Sequence, residues 1–544
     1  MVLIEINSKY FGGFKKMENS RKSGILLHPT SLPSEYGIGD MGKNAYDFID
    51  FLEKSGQKIW QVLPLGPTGF KDSPYQSFSA FAGNYYLISP DLLLKDDLLE
   101  EKDLENIPEF SNDKVEYEKV IDFKINLFKK AYINFSGKEE TNTEFLKFKK
   151  ENDFWLENCC LFAAIKDFYI EKRKNEFESE GLKAFCDFTK DILSPSVQKD
   201  YYYGGVWASW SEELKNREPS AIEKYKTKLK DKINFYMFLQ FEFFKQWSEL
   251  KEYAKEKDIE IIGDIPIFAA WDSADVWENK ELFYLNEKGF PKECAGVPPD
   301  YFSPKGQLWG NPLYDWKNHK AQGYKWWINR IKNCLKLADI IRIDHFRGFE
   351  KYYAIPIKSK DATVGKWKKG PGIDFFNAVK KELGRCPFIA EDLGIITEEV
   401  TTLRLKAGLP GMKILQFAFD DSPNNSYLPH NYEKNCIVYT GTHDNDTSKG
   451  WYENATEFEK DYLRRYMNTD GNNPSWDLIR LAIASSADTA VFPLQDVLSL
   501  SSEGRMNTPG TDSGNWTWRF KAEDLKDEYC QSLKYLNKIF KRNM

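Results

Sequence analysis

The chain has 544 residues, which is enough for one large barrel with insertions or for several ordinary domains. Its 41% hydrophobic and 29% charged residues are typical of a globular protein. Without a signal-peptide pattern or a long apolar run, we expect a cytoplasmic protein with no membrane partner. The net charge of −7 argues against nucleic acid as a partner, because phosphate binding requires clustered Lys and Arg.

The cysteines and the aromatic residues carry further information. The eight cysteines form no CxxC pair and no Cys/His cluster at metal-ligand spacing, and the adjacent Cys159 and Cys160 are a poor frame for a disulfide. We therefore expect free thiols. Aromatic residues make up 15% of the chain, including 16 Trp and 29 Tyr. Flat rings with a polar group suit the faces of sugars, although filling a large core accounts for most of them.

Short apolar runs that end in polar, Pro or Gly residues recur along the chain and indicate strands buried on both faces. They lie at 24–27, 59–64, 259–264, 340–344, 388–391, 414–419, 437–440 and 490–494. Because helical patterns lie between several of them, we predict a parallel sheet.

Two of these helices have clear sequence limits. The first has an apolar face and a stop at Gly56; the face consists of Ala45, Phe48, Ile49 and Leu52. The second begins at Thr397, a plausible N-cap, and ends near Gly408.

About eight strands with polar residues at their carboxyl ends predict an α/β fold of the (β/α)₈ TIM barrel type. An open doubly wound sheet is the alternative. It would require a Gly-rich phosphate loop after the first strand, whereas residues 27–33 are rich in Pro. We favour the barrel.

The barrel pattern is interrupted between about residues 92 and 230, where Lys/Glu-rich segments with helical periodicity predict a helical insertion. Residues 235–250 are apolar almost all round and predict a helix wedged between this insertion and the barrel. A Pro- and aromatic-rich stretch at about 294–314 is predicted to be a loop that acts as a lid.

Three acidic segments follow predicted strands, at 341–348, 389–394 and 440–446. In the first, strand alternation places Arg342 and Asp344 on the same side of the strand. A guanidinium beside a carboxylate keeps it ionised, as a nucleophile requires. Taken alone, such an Arg–Asp pair is more often a structural ion pair. In the second, the apolar approach to Glu391 raises the pKa of its carboxyl group, which suits a general acid.

In the third segment His443 and Asp444 are suited to binding adjacent sugar hydroxyls; a metal site is the competing interpretation. A carboxylate nucleophile, a proton-donating carboxylic acid and a third carboxylate are what retaining hydrolysis or transfer of a glycosidic bond requires. Other candidate ligand contacts at strand ends and aromatic loops are Tyr75, Asp264, Asp300 and Trp309.

Together the motifs resemble the amylomaltase, or 4-α-glucanotransferase (disproportionating enzyme), family. The resemblance rests on residues 24–33, 73–84, 296–314 and the three acidic segments, and it runs from about Ser23 to Trp518. It implies a (β/α)₈ barrel with inserted subdomains, no metal or organic cofactor, and retaining transfer of α-1,4-glucan segments. The implied partners are maltooligosaccharides and glucans derived from starch or glycogen, with glucose as an acceptor.

By motif, the resemblance implies that Asp344 is the nucleophile, Glu391 the acid/base and Asp444 the carboxylate that grips sugar hydroxyls. The implied substrate-binding residues are Tyr75, Asp264, Asp300, Trp309, Arg342 and His443. Residues 22–544 would then form the catalytic barrel. Residues 1–21 lie outside the family pattern, and we hypothesise that Met17 is the native start or that this leader is a dispensable extension.

Two alternatives to a transferase stay open. An α-amylase-like hydrolase shares the acidic residues but leaves the intermediate open to water. A catalytically silent glucan-binding protein is disfavoured by the intact Asp344, Glu391 and Asp444.

Overall fold

A computed structural model describes residues 21–68, 72–175, 206–299, 303–422, 424–511 and 513–543. In chain order the strands are β1 (Lys22–Leu26), β2 (Ile59–Gln61), β3 (Glu260–Pro266), β4 (Glu293–Val297), β5 (Gln307–Pro312), β6 (Ile340–Asp344), β7 (Lys351–Pro356), β8 (Lys366–Lys369), β9 (Phe388–Ala390), β10 (Gly411–Ile414), β11 (Cys436–Tyr439) and β12 (Thr489–Pro493).

The helices lie mainly between the strands. They are α1 (Lys43–Lys54), α2 (Pro90–Lys95), α3 (Tyr117–Phe135), α4 (Thr143–Glu151), α5 (Leu156–Asn175), α6 (Glu212–Lys215), α7 (Pro219–Lys228), α8 (Lys230–Glu256), α9 (Ala274–Glu278), α10 (Trp316–Ala321), α11 (Lys325–Leu337), α12 (Ile373–Leu383), α13 (Glu398–Ala407), α14 (Ser448–Asn454), α15 (Glu457–Met467), α16 (Pro474–Ala484), α17 (Leu494–Val497) and α18 (Asp527–Ile539).

Eight parallel strands form a barrel in the order β10, β11, β12, β1, β2, β3, β6, β9. The ring closes between β9 and the residue preceding β10, where the amide of Ala390 donates to the carbonyl of Pro410 at 2.9 Å. All eight carboxyl ends therefore meet at one end of the barrel, which is where barrel enzymes carry their sites. The predicted fold is confirmed.

The two helices with clear sequence limits form as predicted. The four apolar residues of α1 are all buried, and Gly56 after it has φ +69°, a left-handed conformation that suits glycine. Thr397 occupies the N-cap position of α13, which ends at Gly408 in the same left-handed conformation.

One predicted strand is displaced along the chain. The prediction placed it at 414–419, but β10 ends at Ile414 and Leu415–Phe417 forms a 3₁₀ helix. The strand begins earlier because Asp392 accepts a hydrogen bond from the amide of Met412 at 2.7 Å. Gln416 then turns away from the strand direction and donates to the carbonyl of Asp446 at 2.8 Å.

The stretch predicted as a loop at about 294–314 instead contributes two strands. β4 and β5 pair with β7 and β8 in an antiparallel sheet of order β5, β4, β7, β8. The loop prediction is wrong over these strands because Gly296 lets them approach closely; a Cβ there would lie 2.2 Å from the carbonyl oxygen of Gln307.

The segment predicted as a helical insertion contains α2 to α7 in its described part, and residues 176–205 lie outside the described residues. Residues 235–250 of the long helix α8 are buried on nearly all sides, as predicted. Its Gln240 exchanges hydrogen bonds with the backbone of Gly83, and the indole of Trp247 donates to the carbonyl of Leu337 at 2.8 Å. No helix within the described ranges is long and apolar enough to cross a membrane.

Candidate active site

The carboxyl ends of the barrel strands surround a cavity of about 690 Å³. Asp344 ends β6 and Glu391 follows β9, and these strands are hydrogen-bonded neighbours. Asp444 lies on the loop after β11. The cavity wall includes seven of the predicted site residues, namely Tyr75, Trp309, Arg342, Asp344, Glu391, His443 and Asp444.

Arg342 joins two carboxylates of neighbouring strands. Its Nη2 donates to Oδ1 of Asp344 at 3.0 Å, and its Nη1 donates to Oδ2 of Asp264 at 2.6 Å. The first bond follows from strand alternation, which places residues two apart on the same side. A guanidinium held at both ends is a fixed positive charge beneath Asp344.

Asp264 lies behind the cavity wall and not in it. Its side chain has no exposed surface, and its Oδ2 also accepts the hydroxyl of Tyr75 at 2.8 Å. The prediction that Asp264 binds substrate is therefore replaced by a supporting role, because its carboxylate reaches the cavity only through Arg342 and Tyr75.

Burial raises the pKa of Asp344, and Arg342 opposes this rise. The nearby carboxylates of Asp264, Glu391 and Asp444 raise the pKa of Asp344 further. Arg342 limits the rise in the pKa of Asp344 without reversing it, so loss of the guanidinium would make this carboxyl group still harder to ionise.

Glu391 is a second buried carboxyl, and burial raises its pKa while Arg342 opposes the rise. Both of its oxygens accept backbone hydrogen bonds, Oε2 from His345 at 2.7 Å and Oε1 from Leu393 at 2.9 Å. The negative charge of Glu391 raises the pKa of Asp344, so ionisation of one carboxyl group disfavours ionisation of the other. An anion beside a protonated acid is the pair that a nucleophile and an acid catalyst require.

Asp444 is held by residues that the sequence analysis did not identify. Asn507 donates to its Oδ1 at 2.6 Å, and Arg505 donates to its carbonyl oxygen at 2.6 Å. His443 Nε2 lies 3.4 Å from Oδ2 of Asp444, and the side chain of Asp444 stays 44% exposed toward the cavity. These contacts fix the carboxylate while leaving it accessible to a ligand.

The polar and Pro/Gly-rich run after the last predicted strand was the signal for Asn507. Loops after barrel strands carry function, so this run at 505–510 indicates a site segment in the same way as the three acidic segments. The metal interpretation of residues 442–447 gains no support, since the described residues contain no group of three His, Cys, Asp or Glu placed to hold an ion.

Aromatic rings form much of the remaining wall. The rings of Tyr75 and His443 are stacked with centroids 5.2 Å apart, and Trp516 lies 5.8 Å from Tyr75. Trp309 is half-buried and meets the ring of His345 edge-on at 4.9 Å. Burial lowers the pKa of His345 to about 4, so its ring is neutral at physiological pH.

Asp300, the remaining predicted contact, lies outside the described residues. The geometry of the other residues can support chemistry on an uncharged, ring-shaped ligand. It combines an Arg-bound carboxylate, a second buried carboxyl group, a third carboxylate open to hydroxyl groups, and walls of aromatic rings.

Comparison with known proteins gives a consistent result. A family described as 4-alpha-glucanotransferase matches residues 27–525. The 4-alpha-glucanotransferase of Clostridium butyricum is 45% identical over 95% of this chain and its own full length. That of Thermus thermophilus is 44% identical over 97% of this chain and its own full length.

Solved structures show the same likeness. An amylomaltase from Streptococcus agalactiae, determined in complex with acarbose, is 39% identical and superposes with a TM-score of 0.87, covering 96% of this chain and 99% of its own. An amylomaltase from Corynebacterium glutamicum is 17% identical, with a TM-score of 0.68 over 96% of this chain and 74% of its own, and shares the fold.

Proposed function

The chain belongs to the 4-alpha-glucanotransferase family, and we propose that it moves α-1,4-glucan segments between maltooligosaccharides through a covalent intermediate on Asp344. The observation that carries this proposal is that Asp344, Glu391 and Asp444 line one cavity, with Arg342 bound to the first of them. The proposed substrates are maltooligosaccharides and glucans derived from starch or glycogen, with glucose as one acceptor.

In the first half of the reaction, an oxygen of Asp344 attacks the anomeric carbon of the donor and the glycosidic C–O bond breaks. Glu391 gives its proton to the leaving oxygen, and the rest of the donor departs as a shortened chain. Each oxygen of Glu391 accepts a single backbone amide, so a second lone-pair position on either oxygen is available to carry this proton. Asp444 binds hydroxyls of the reacting sugar and favours its distorted, cationic transition state.

In the second half, Glu391 takes the proton from the 4-hydroxyl of an acceptor sugar, whose oxygen attacks the same carbon. The ester to Asp344 breaks and regenerates the carboxylate, so two inversions retain the anomeric configuration. Transfer requires the acceptor to outcompete water. The aromatic walls around Tyr75, Trp309 and Trp516 favour this outcome because they shield the ester from water.

Incubation with maltotriose tests the proposed reaction. Each transfer breaks one glycosidic bond and forms another, so glucose and chains longer than maltotriose should accumulate while the number of reducing ends stays constant. A rise in reducing ends without longer chains would identify an α-amylase-like hydrolase instead. No product of either kind would indicate a protein that only binds glucans.

A further inference from the structure

The cavity continues beyond Glu391 to a wall built from Arg347, Trp367 and Ile395. The side chains of Trp367 and Ile395 are 36% and 54% exposed, and both line the cavity. Arg347, in contrast, is buried. This wall, which we call the Trp367 platform, has no part in the chemistry described above.

Arg347 fixes the platform in place. Its guanidinium carbon lies 3.8 Å from the centroid of the Trp367 ring, and its Nη1 donates to the carbonyl of Ile395. The three residues come from different segments: the turn after β6, strand β8 and the loop after β9. A cation–π contact and a hydrogen bond between three segments hold an exposed ring in a defined orientation before any ligand arrives.

The position of the platform indicates which part of a glucan would reach it. Ile395 lies four residues after Glu391, on the same loop. The residues that surround Asp444, namely Tyr75, His443 and Trp516, come from segments after β2, β11 and β12, on another sector of the barrel. Since Glu391 acts on the leaving and attacking oxygens, sugars on its side belong to the leaving chain and then to the acceptor.

We infer that the Trp367 platform is an acceptor subsite, at which an α-glucan stacks a sugar beyond the one that attacks. This inference rests on the proposed transfer reaction and concerns the preference of that reaction for longer acceptors over glucose. The flat apolar face of a glucose unit fits an exposed indole, and the rigid ring loses little entropy on binding. Glucose, a single unit at the attacking position, does not extend to the platform, whereas maltotriose does.

The test uses α-maltotriosyl fluoride as donor, so that the C–F bond breaks, fluoride leaves, and no leaving sugar occupies the acceptor side. Transfer to glucose and to maltotriose is compared in the wild-type protein and in Trp367→Ala. We expect the KM for maltotriose as acceptor to rise roughly 5- to 10-fold in Trp367→Ala. The KM for glucose should stay within about twofold of the wild-type value, because glucose makes no contact with the ring.

Phe458→Ala is the matched control, because Phe458 is an exposed aromatic residue on α15 that does not line the cavity. It should change neither KM. Ile395→Ser provides a second platform variant in case Trp367→Ala unfolds. It should raise the KM for maltotriose as acceptor more than the KM for glucose. An equal rise in KM for both acceptors, or no rise for either, would overturn the subsite assignment. A wild-type protein that transfers to neither acceptor would instead refute the proposed function itself.

Discussion

Arg342 forms ion pairs with two carboxylates of the site. It binds Asp344 on the cavity side and the buried Asp264 behind it, so a fully enclosed carboxylate and a reactive one share a single guanidinium. The negative charge of Asp264 also raises the pKa of Asp344. Asp264 thus orients Arg342 while making Asp344 harder to ionise.

Asp264→Asn should therefore shift the pH dependence of catalysis. Removing a negative charge lowers the pKa of Asp344, so the carboxylate form persists to lower pH. The acid limb of kcat/KM for maltotriose should move to lower pH, while kcat itself falls because Arg342 loses its anchor. Asp272→Asn is the control, since Asp272 pairs with Lys166 outside the cavity. An acid limb of kcat/KM that moves to higher pH in Asp264→Asn, or that moves equally in both variants, would contradict this account.

At this scale, sequence reasoning succeeded where one element determines the contact. The Arg342–Asp344 bond follows from alternation along a single strand. The run at 505–510 marks a functional loop, but it does not identify the partner of Asn507, because the bond to Asp444 joins loops 63 residues apart. The buried position of Asp264 could not be predicted either, because Tyr75, which covers it, comes from a distant loop.

Among the elements, helix α8 contains an unusual buried acid. Glu242 is 1% exposed, its Oε2 has no hydrogen-bond partner among the described residues, and burial raises its pKa to about 7. A group whose pKa is higher in the folded than in the unfolded state stabilises the fold below its unfolded pKa of about 4.5. This stabilisation is lost as the pH rises through about 7.

Glu242→Gln should accordingly stabilise the protein in a pH-dependent manner. Near pH 4.5 both side chains are neutral and the unfolding free energies should be similar. Above pH 7 the variant should be more stable by about 3 kcal/mol, the equivalent of the pKa rise. Denaturant unfolding at several pH values measures the difference. Glu256→Gln, an exposed position at the end of the same helix, should show no such trend, and a constant difference at Glu242 would contradict the assignment.

The predicted elements agree with the structure where hydrophobic periodicity is strong. Seven of the eight predicted strands match their observed counterparts to within three residues at either end. The eighth, 414–419, shares only Ile414 with β10, because its apolar residues continue into a 3₁₀ helix that is largely buried. The antiparallel sheet was missed for the opposite reason. Its strand β8 is Lys-Trp-Lys-Lys and largely exposed, so it lacks the apolar signal by which strands are recognised.

For the whole molecule, the two ends of the described chain meet and close the base of the barrel. Arg542 is 1% exposed and donates to the carbonyls of Lys22, Ile483 and Ala487 at 2.7 to 2.9 Å. Asn543 accepts the amide of Ser23 at 2.9 Å. A residue near the end of the sequence thus ties α16 to the first barrel strand.

Arg542→Ala should destabilise the whole protein, although the residue is far from the cavity. Several buried carbonyl groups lose their donor, each at a cost of about 1–3 kcal/mol, so a total loss of about 3 kcal/mol or more is expected. Thermal or denaturant unfolding measures it, with the exposed Lys538→Ala as control. Unchanged stability in Arg542→Ala would show that the chain ends do not support the barrel.

The most direct measurement of the central claim is the identification of the residue that carries the sugar. Glu391→Gln is incubated with α-maltotriosyl fluoride, because fluoride leaves without receiving a proton from an acid. The protein is then digested and analysed by mass spectrometry. Without the base for the second step, the maltotriosyl ester should accumulate on Asp344, and Asp344→Asn should release no fluoride burst. An adduct on Asp444 or another residue, or fluoride release with no adduct at all, would contradict the account.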